Sequence, residues 1–339
     1  MRAAPATERL AAAVRLGAPI SELCAAIGGR RAVALVDANA APLVPEAQLP
    51  PDVLELPGGE ACKTFDQAAR ALARLAALDV GRDAIVVGIG GGAVCDLAGF
   101  VAATYMRGIA LGLVPTTLVA QIDAAIGGKN ALDVGPWKNA VGTFHFPEFV
   151  LCDPRALAAL PRRELRAGLA ELVKAAAIGD AALFAAMEAD PAALLDPTGP
   201  ALADAMRRAV AVKLGIVARD PLERGERRLL NFGHTFGHAL ELGRGLGHGE
   251  AVAIGMVLAA RLSAACGRLG GRELARLIGL LDRLGLPTEA PRADAGATLE
   301  ALRRDKKRDG DCVRFVLLCG IGRAAIERVP LRRLAEVLP

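Results

Sequence analysis

Asp83-Ala-Ile-Val-Val-Gly-Ile-Gly90-Gly91-Gly92-Ala-Val-Cys-Asp96 is the stretch on which the fold reading turns. From Ala84 to Ile89 it is apolar and rich in β-branched residues, as a strand buried on both faces requires. Three glycines follow, and then an apolar run from Leu97 to Met106 that reads as a helix. Glycines in such a turn let backbone N–H groups approach a pyrophosphate, and the helix N-terminus favours the anion. They serve packing equally well, so the turn alone does not decide a ligand. It also departs from the usual dinucleotide fingerprint, because no clear Asp or Glu closes the next strand about twenty residues on.

Outward from this turn, the chain alternates strand and helix. Arg31 to Asp37, Ala110 to Thr117 and Phe149 to Asp153 read as strands, and Lys63 to Leu78 has helical periodicity. Alternation of this kind predicts a parallel α/β sheet. Beyond Pro161 long Ala/Leu/Arg helices take over, with Val313 to Leu318 as one short exception. The expectation is an α/β N-terminal domain with a Rossmann-like parallel sheet over 1–155 and an all-α, mainly helical domain over 156–339. The active site should lie in the cleft between them.

Composition narrows the function. The 339 residues can bury a large core, and 53% are hydrophobic. Even so, the helical apolar run Ala251 to Ala260 stops at Arg261, well short of the roughly eighteen residues of a membrane span. The start, Met1-Arg-Ala-Ala-Pro-Ala-Thr-Glu-Arg9, lacks the pattern of a secretory signal. Seven scattered cysteines, none in a Cys-x-x-Cys pair, suit reduced thiols in a cytoplasmic protein. A net charge of +4 without basic runs argues against nucleic acid.

Two residue types are concentrated where chemistry is expected. Only seven of the 41 basic residues are lysine, so each survivor marks a place where a compact ammonium serves better than a planar fork. Three of the four histidines, His234, His238 and His248, fall within fifteen residues. His234 and His238, four apart, share one helix face, and glycines on either side of His248 suggest a loop returning to it. Spacing alone therefore points to a His234/His238 chelate, to acid–base work, or to both. Gln121, Asp123, Lys129, Asn130, Lys138 and Asn139 read as a polar lining for an anionic, hydroxylated ligand. Glu171 is a lone acid in an apolar helix, either paired with Lys174 or ligating a metal.

Taken in order, these segments carry a resemblance. Gly-Gly-Gly-x-x-x-Asp-Leu-x-Gly-Phe (90–100), Ala-Thr-Tyr-Met-Arg-Gly (103–108), Val-Pro-Thr-Thr-Leu (114–118), Gly-Gly-Lys (127–129) and Lys-Asn (138–139) lie in the first half. Leu-Pro-x-Arg-Glu (160–164), Gly-x-x-Glu-x-x-Lys (168–174), Leu-Asn-x-Gly-His-Thr-x-Gly-His (230–238), His-Gly-Glu-Ala-Val (248–252) and Asp-Lys-Lys (305–307) lie in the second. The set resembles the 3-dehydroquinate synthases over roughly residues 30–325. The resemblance implies a homodimeric, NAD- and Zn2+-dependent lyase, with Co2+ as a substitute metal. Such enzymes convert a seven-carbon keto-acid sugar phosphate to 3-dehydroquinate and phosphate.

Carried over by position, the resemblance gives Glu171, His234 and His248 as metal ligands, with His238 as a non-ligand on the proton path. Asp123, Lys129, Asn139, Lys174, Lys213, Arg227, Asn231, His238, Lys306, Lys307 and, across a dimer interface, Arg107 match substrate positions. Asp37, Glu60, Lys63, Gly91, Gly92, Asp96, Thr116, Thr117, Lys129 and Lys138 match the NAD side. His238, Lys174, Asn231 and Lys129 are the expected catalytic residues. Three positions depart from the family pattern: Asn130 where Thr is usual, Trp137 where Gly is usual, and Ala159 where Thr commonly precedes Leu-Pro. Readings left open are a related sugar phosphate cyclase, including an amino-dehydroquinate variant, and a metal-dependent polyol dehydrogenase.

Overall fold

A computed structural model describes residues 6–135, 137–241, 246–290, 308–309 and 312–338. The chain forms two compact units, Met1–Pro161 and Arg162–Pro339.

The first unit is built on a six-stranded sheet. Its strands are β1 (Val14–Leu16), β2 (Ala32–Asp37), β3 (Asp52–Leu56), β4 (Ile85–Gly90), β5 (Ala110–Pro115) and β8 (Phe149–Cys152). Their order is β1-β8-β5-β4-β2-β3 and every pairing is parallel. β2, β4 and β8 are buried at every position, which is why they read as continuous apolar runs. Helices α1 (Ala6–Ala13), α2 (Leu23–Ile27), α3 (Phe65–Ala77) and α4 (Gly92–Thr104) complete the unit. Thr64 caps α3 through its hydroxyl. One apolar cluster joins α3 and α4 to the sheet, through Leu75, Val94, Leu97 and Val101 against Val86, Leu111 and Leu113.

Residues 121–139 leave the strand–helix alternation. They form a π-turn at Ala120–Ala124 and an antiparallel hairpin of β6 (Lys129–Val134) and β7 (Trp137–Phe144), with a register shift between Leu132 and Val134. Two of the polar side chains point inward. Gln121 is fully buried and donates through Nε2 to the carbonyls of Pro115 and Asp153. Asn130 is also buried, and its Nδ2 donates to the carbonyls of Gly128 and His145 at 3.0 and 3.2 Å, closing the hairpin base.

The second unit contains α5 (Arg162–Gly179), α6 (Ala181–Ala189), α7 (Pro200–Arg219), α8 (His234–Glu241), α9 (His248–Ala265), α10 (Gly271–Arg283) and α11 (Leu331–Ala335). It is not all-α. Strands β9 (Arg308–Asp309), β10 (Cys312–Leu318) and β11 (Ala324–Pro330) form an antiparallel sheet in the order β11-β10-β9. The sheet supports the helices that carry the histidines. Phe315 on β10 packs on Phe236 of α8 with ring centroids 5.0 Å apart. Ser263 of α9 accepts the Leu318 N–H at 3.0 Å. α5 from Gly168 to Ile178 and α9 from Ala251 to Ala260 are buried on all sides; α9 is apolar throughout this stretch, and α5 is apolar except for the paired Glu171 and Lys174. Among the described residues no helix is long and apolar enough to cross a membrane.

Candidate active site

In the first unit, the residues matched to NAD gather at the carboxyl ends of the parallel strands, where open α/β sheets bind ligands. Asp37 ends β2, Gly90 ends β4, and Thr116-Thr117 follow β5. Gly90 sits at φ +154, and a Cβ there would stand 2.7 Å from that of Asp37, so the turn admits no side chain. Gly91 caps α4 without a side-chain acceptor, which leaves the first helical N–H groups to face an anion. Asp37 Oδ1 and Oδ2 accept the N–H groups of Asn39 and Gly59 at 2.8 and 3.2 Å, fixing the turn that carries Glu60. These donors and acceptors fit a dinucleotide.

Lys63 is the hub of this half. Its ammonium pairs with Asp96 at 2.5 Å and donates to Asn139 Oδ1 at 2.5 Å, so residues matched to NAD and to substrate share one cation. Asp133, which the sequence reading passed over, accepts the Asn139 N–H at 2.7 Å while its own N–H donates to the Lys63 carbonyl. That bond holds Asn139 at φ +52. Burial drives the Asp96 carboxyl up to about 6 despite the lysine beside it. Burial works against the Lys63 ammonium too, but the surrounding carboxylates, Asp96 first, hold it above its ordinary range. The cost of burying the pair therefore rests on Asp96. Asp123 lies on the π-turn, Lys129 opens β6 and the exposed Lys138 lies on β7. Arg107 and Met106 are both in the left-handed region, at φ +65 and +47, and Met106 is exposed.

In the second unit, three helices converge on Glu171. It lies on the buried stretch of α5, His234 opens α8 and His248 opens α9. Gly249 makes the approach of α9 possible, because a Cβ there would lie 2.2 Å from Cα of Ala167 on α5. Glu250 accepts the Gly247 N–H at 2.7 Å and pairs with Arg163 of α5, which fixes the start of α9. Nε2 of His234 and of His248 then stand 3.5 and 3.4 Å from Glu171 Oε1.

These contacts make poor hydrogen bonds, and neither oxygen of the buried Glu171 receives one of good geometry. The Lys174 ammonium, one turn on, lies against Oε2 as an ion pair. Donors each about 2.1 Å from a tetrahedral zinc stand about 3.4 Å apart, which is close to the separation of Glu171 from each imidazole. The three ligand atoms lie within 4.8 Å of one another, and among the described residues this is the grouping that could hold a metal. His238 is outside it, exposed, with its ring centroid 5.5 Å from that of His234. The chelate suggested by spacing is therefore replaced by one acid and two imidazoles from three helices.

The charges agree with a cation site. Burial opposes ionisation of Glu171, but Lys174 and the two imidazoles outweigh it and hold the carboxyl well below its usual range. Burial drives His234 well below the usual imidazole value, so it is neutral. Burial also disfavours the His248 cation, but the carboxylates of Glu171 and Glu241 raise it to about 9. A metal there displaces that proton. Lys213 on α7 is buried, and Arg227, buried in the turn Glu226–Asn231, donates to the Pro221 carbonyl. Asn231 donates to Glu223 at 2.8 Å. Nothing in the sequence singles out Glu223, an acid in an ordinary turn. Lys306 and Lys307 lie outside the described residues.

With this sheet, glycine turn and Glu–His–His grouping, the chain is similar to solved structures of the sugar phosphate cyclase class. The 2-epi-5-epi-valiolone synthase of Streptomyces hygroscopicus subsp. jinggangensis 5008, solved with NAD+ and Zn2+ bound, is similar at a TM-score of 0.84. It is 31% identical, over 91% of this chain and 90% of that one. A 2-deoxy-scyllo-inosose synthase complexed with carbaglucose-6-phosphate, NAD+ and Co2+ gives 0.81 at 28% identity, over 94% and 91%. Within the class, residues 53–167 match the 3-dehydroquinate synthase N-terminal family and 168–308 match the C-terminal one. The 3-dehydroquinate synthase of Xanthomonas campestris pv. campestris (strain 8004) is 47% identical over 319 residues, 88% of this chain and 86% of that protein. The chain belongs to the 3-dehydroquinate synthase family.

Proposed function

We propose that this chain catalyses its family's reaction, converting 3-deoxy-D-arabino-heptulosonate 7-phosphate to 3-dehydroquinate and phosphate. It acts as a zinc- and NAD-dependent phosphorus–oxygen lyase of the shikimate pathway, as a cytoplasmic homodimer. The observation that carries this reading is Glu171, buried without a good hydrogen bond and faced by two imidazole nitrogens at the spacing of shared metal ligands. Seven free thiols support the compartment.

Glu171, His234 and His248 would hold the metal, and the turn at Gly91-Gly92 the pyrophosphate, with Asp37 and Glu60 toward the ribose. Bound there, NAD+ would supply the hydride acceptor for oxidising a ring carbinol, the C–H leaving as hydride and the O–H as a proton, and would return the hydride later, while zinc would polarise the oxygen concerned. The ketone acidifies the neighbouring C–H, and phosphate then leaves by β-elimination. His238, exposed beside the donor set, moves the proton at its imidazole. Lys174, Lys213 and Arg227 balance the carboxylate, the phosphate and the enolate charge that develops between them. Asn231, held by Glu223, and Asn139, held by Lys63 and Asp133, orient the hydroxyls together with Asp123 and Lys129. Ring opening and an intramolecular aldol then close the carbocycle.

The test is to supply the heptulosonate phosphate with NAD+ and Zn2+ and follow phosphate, NADH and product mass together. Stoichiometric phosphate, a product of dehydroquinate mass and no net NADH are expected. Net NADH without phosphate would establish a polyol dehydrogenase instead. Glu171→Gln should lower turnover by at least about a thousandfold through loss of the metal.

A further inference from the structure

We propose that Glu241 is the positioning residue that fixes the His248 imidazole for metal binding. Nδ1 of His248 stands 2.7 Å from Oε1 of Glu241. An ionised carboxylate only accepts, so the imidazole, in the neutral form that a metal requires, donates from Nδ1 and keeps its lone pair on Nε2. Nε2 is the nitrogen that faces Glu171 at 3.4 Å. One hydrogen bond thus sets both the tautomer and the direction of the ring.

The two ligand histidines differ in how much help they need. The His234 side chain is only 13% exposed, and its Nδ1 lies 3.3 Å from the Phe232 carbonyl. The His248 side chain is 39% exposed, on the first residue of its helix, so packing alone leaves its ring free to turn. Glu241, whose side chain is 7% exposed, closes α8 and reaches across to the start of α9. One short helix therefore supplies a ligand at its first residue and the second ligand's orienting acid at its last. Carboxylates behind ligand histidines fix the ring and strengthen it as a ligand, and their loss costs about 10–100-fold in metal affinity.

The proposal rests on the metal reading of the site, so the experiment carries its own control. Zinc affinity of the metal-free full chain is measured by competition with a chromophoric chelator, and the visible spectrum of the Co2+ form is recorded. The wild type is compared with Glu241→Ala, Glu241→Gln and Glu171→Gln, with circular dichroism melting of each metal-free chain. Glu241→Ala should bind zinc about 10–100-fold more weakly and change the Co2+ spectrum, with little change in metal-free melting. If the alanine chain does not fold, the isosteric glutamine decides, and a loss of about fivefold or more is expected. Wild-type affinity and spectrum in the folded variant would overturn the role of Glu241. If Glu171→Gln also binds zinc as tightly as wild type, the metal reading fails, and the proposal with it.

Discussion

Asp96 shows how one residue's environment becomes a measurable pH dependence. Its carboxyl stands at about 6 in the folded chain against 3.8 ordinarily. A carboxyl raised by folding favours the native state fully below its unfolded value, and that contribution is lost as pH rises through the folded value. Urea unfolding from pH 4 to 7 should therefore show wild type losing up to about 3 kcal/mol relative to Asp96→Asn. A flat difference would sink the reading. Asn130 makes a second case. It replaces the usual Thr, yet its amide bonds two carbonyls at the hairpin base, so Asn130→Ala should lower stability by about 1–3 kcal/mol in the same assay. At this scale the sequence was legible in part. The scarcity of histidine points to the segments that carry His234 and His248, but the four-residue spacing joins His234 to His238. The candidate donor set pairs residues 63 and 77 positions from Glu171, a proximity that local periodicity does not encode.

At the scale of elements, burial decided what could be read. β2, β4, β5 and β8 were visible as apolar runs because neighbours cover both faces. β1, β3 and the β6–β7 hairpin were not, being short, half-exposed or punctuated by turn residues. The C-terminal sheet showed only its central strand, β10, for the same reason. Gly249 is the element-scale residue with the clearest consequence. Ala in its place would put a methyl 2.2 Å from Cα of Ala167, so α9 must move off α5. Gly249→Ala should cost about 1–3 kcal/mol or more, because backbone cannot yield as a side chain does. The same shift carries His248 away from Glu171, so zinc binding should weaken in parallel, as titration of the metal-free chain would detect. Lower stability with unchanged zinc affinity would mean that this contact does not place His248.

At the scale of the whole molecule, the open question is whether one chain is sufficient. Arg107 lies in the first unit, in a turn where two consecutive non-glycine residues have positive φ. Backbone held this way costs of order 1–3 kcal/mol per residue and persists where surrounding structure insists on it. Glu171 lies in the second unit. If Arg107 serves the partner's substrate across a two-fold interface, Arg107→Ala and Glu171→Gln chains are each inactive alone. Unfolded together and refolded, half of their dimers are mixed, and each mixed dimer has one site carrying both defects and one carrying neither. Activity should then return to about a quarter of the wild-type value at equal protein. If Arg107 acts within its own chain, every site in every dimer keeps one defect and mixing restores nothing. The two arrangements predict recovery and silence from the same tube, so a phosphate-release assay on the refolded mixture separates them without a structure of the dimer.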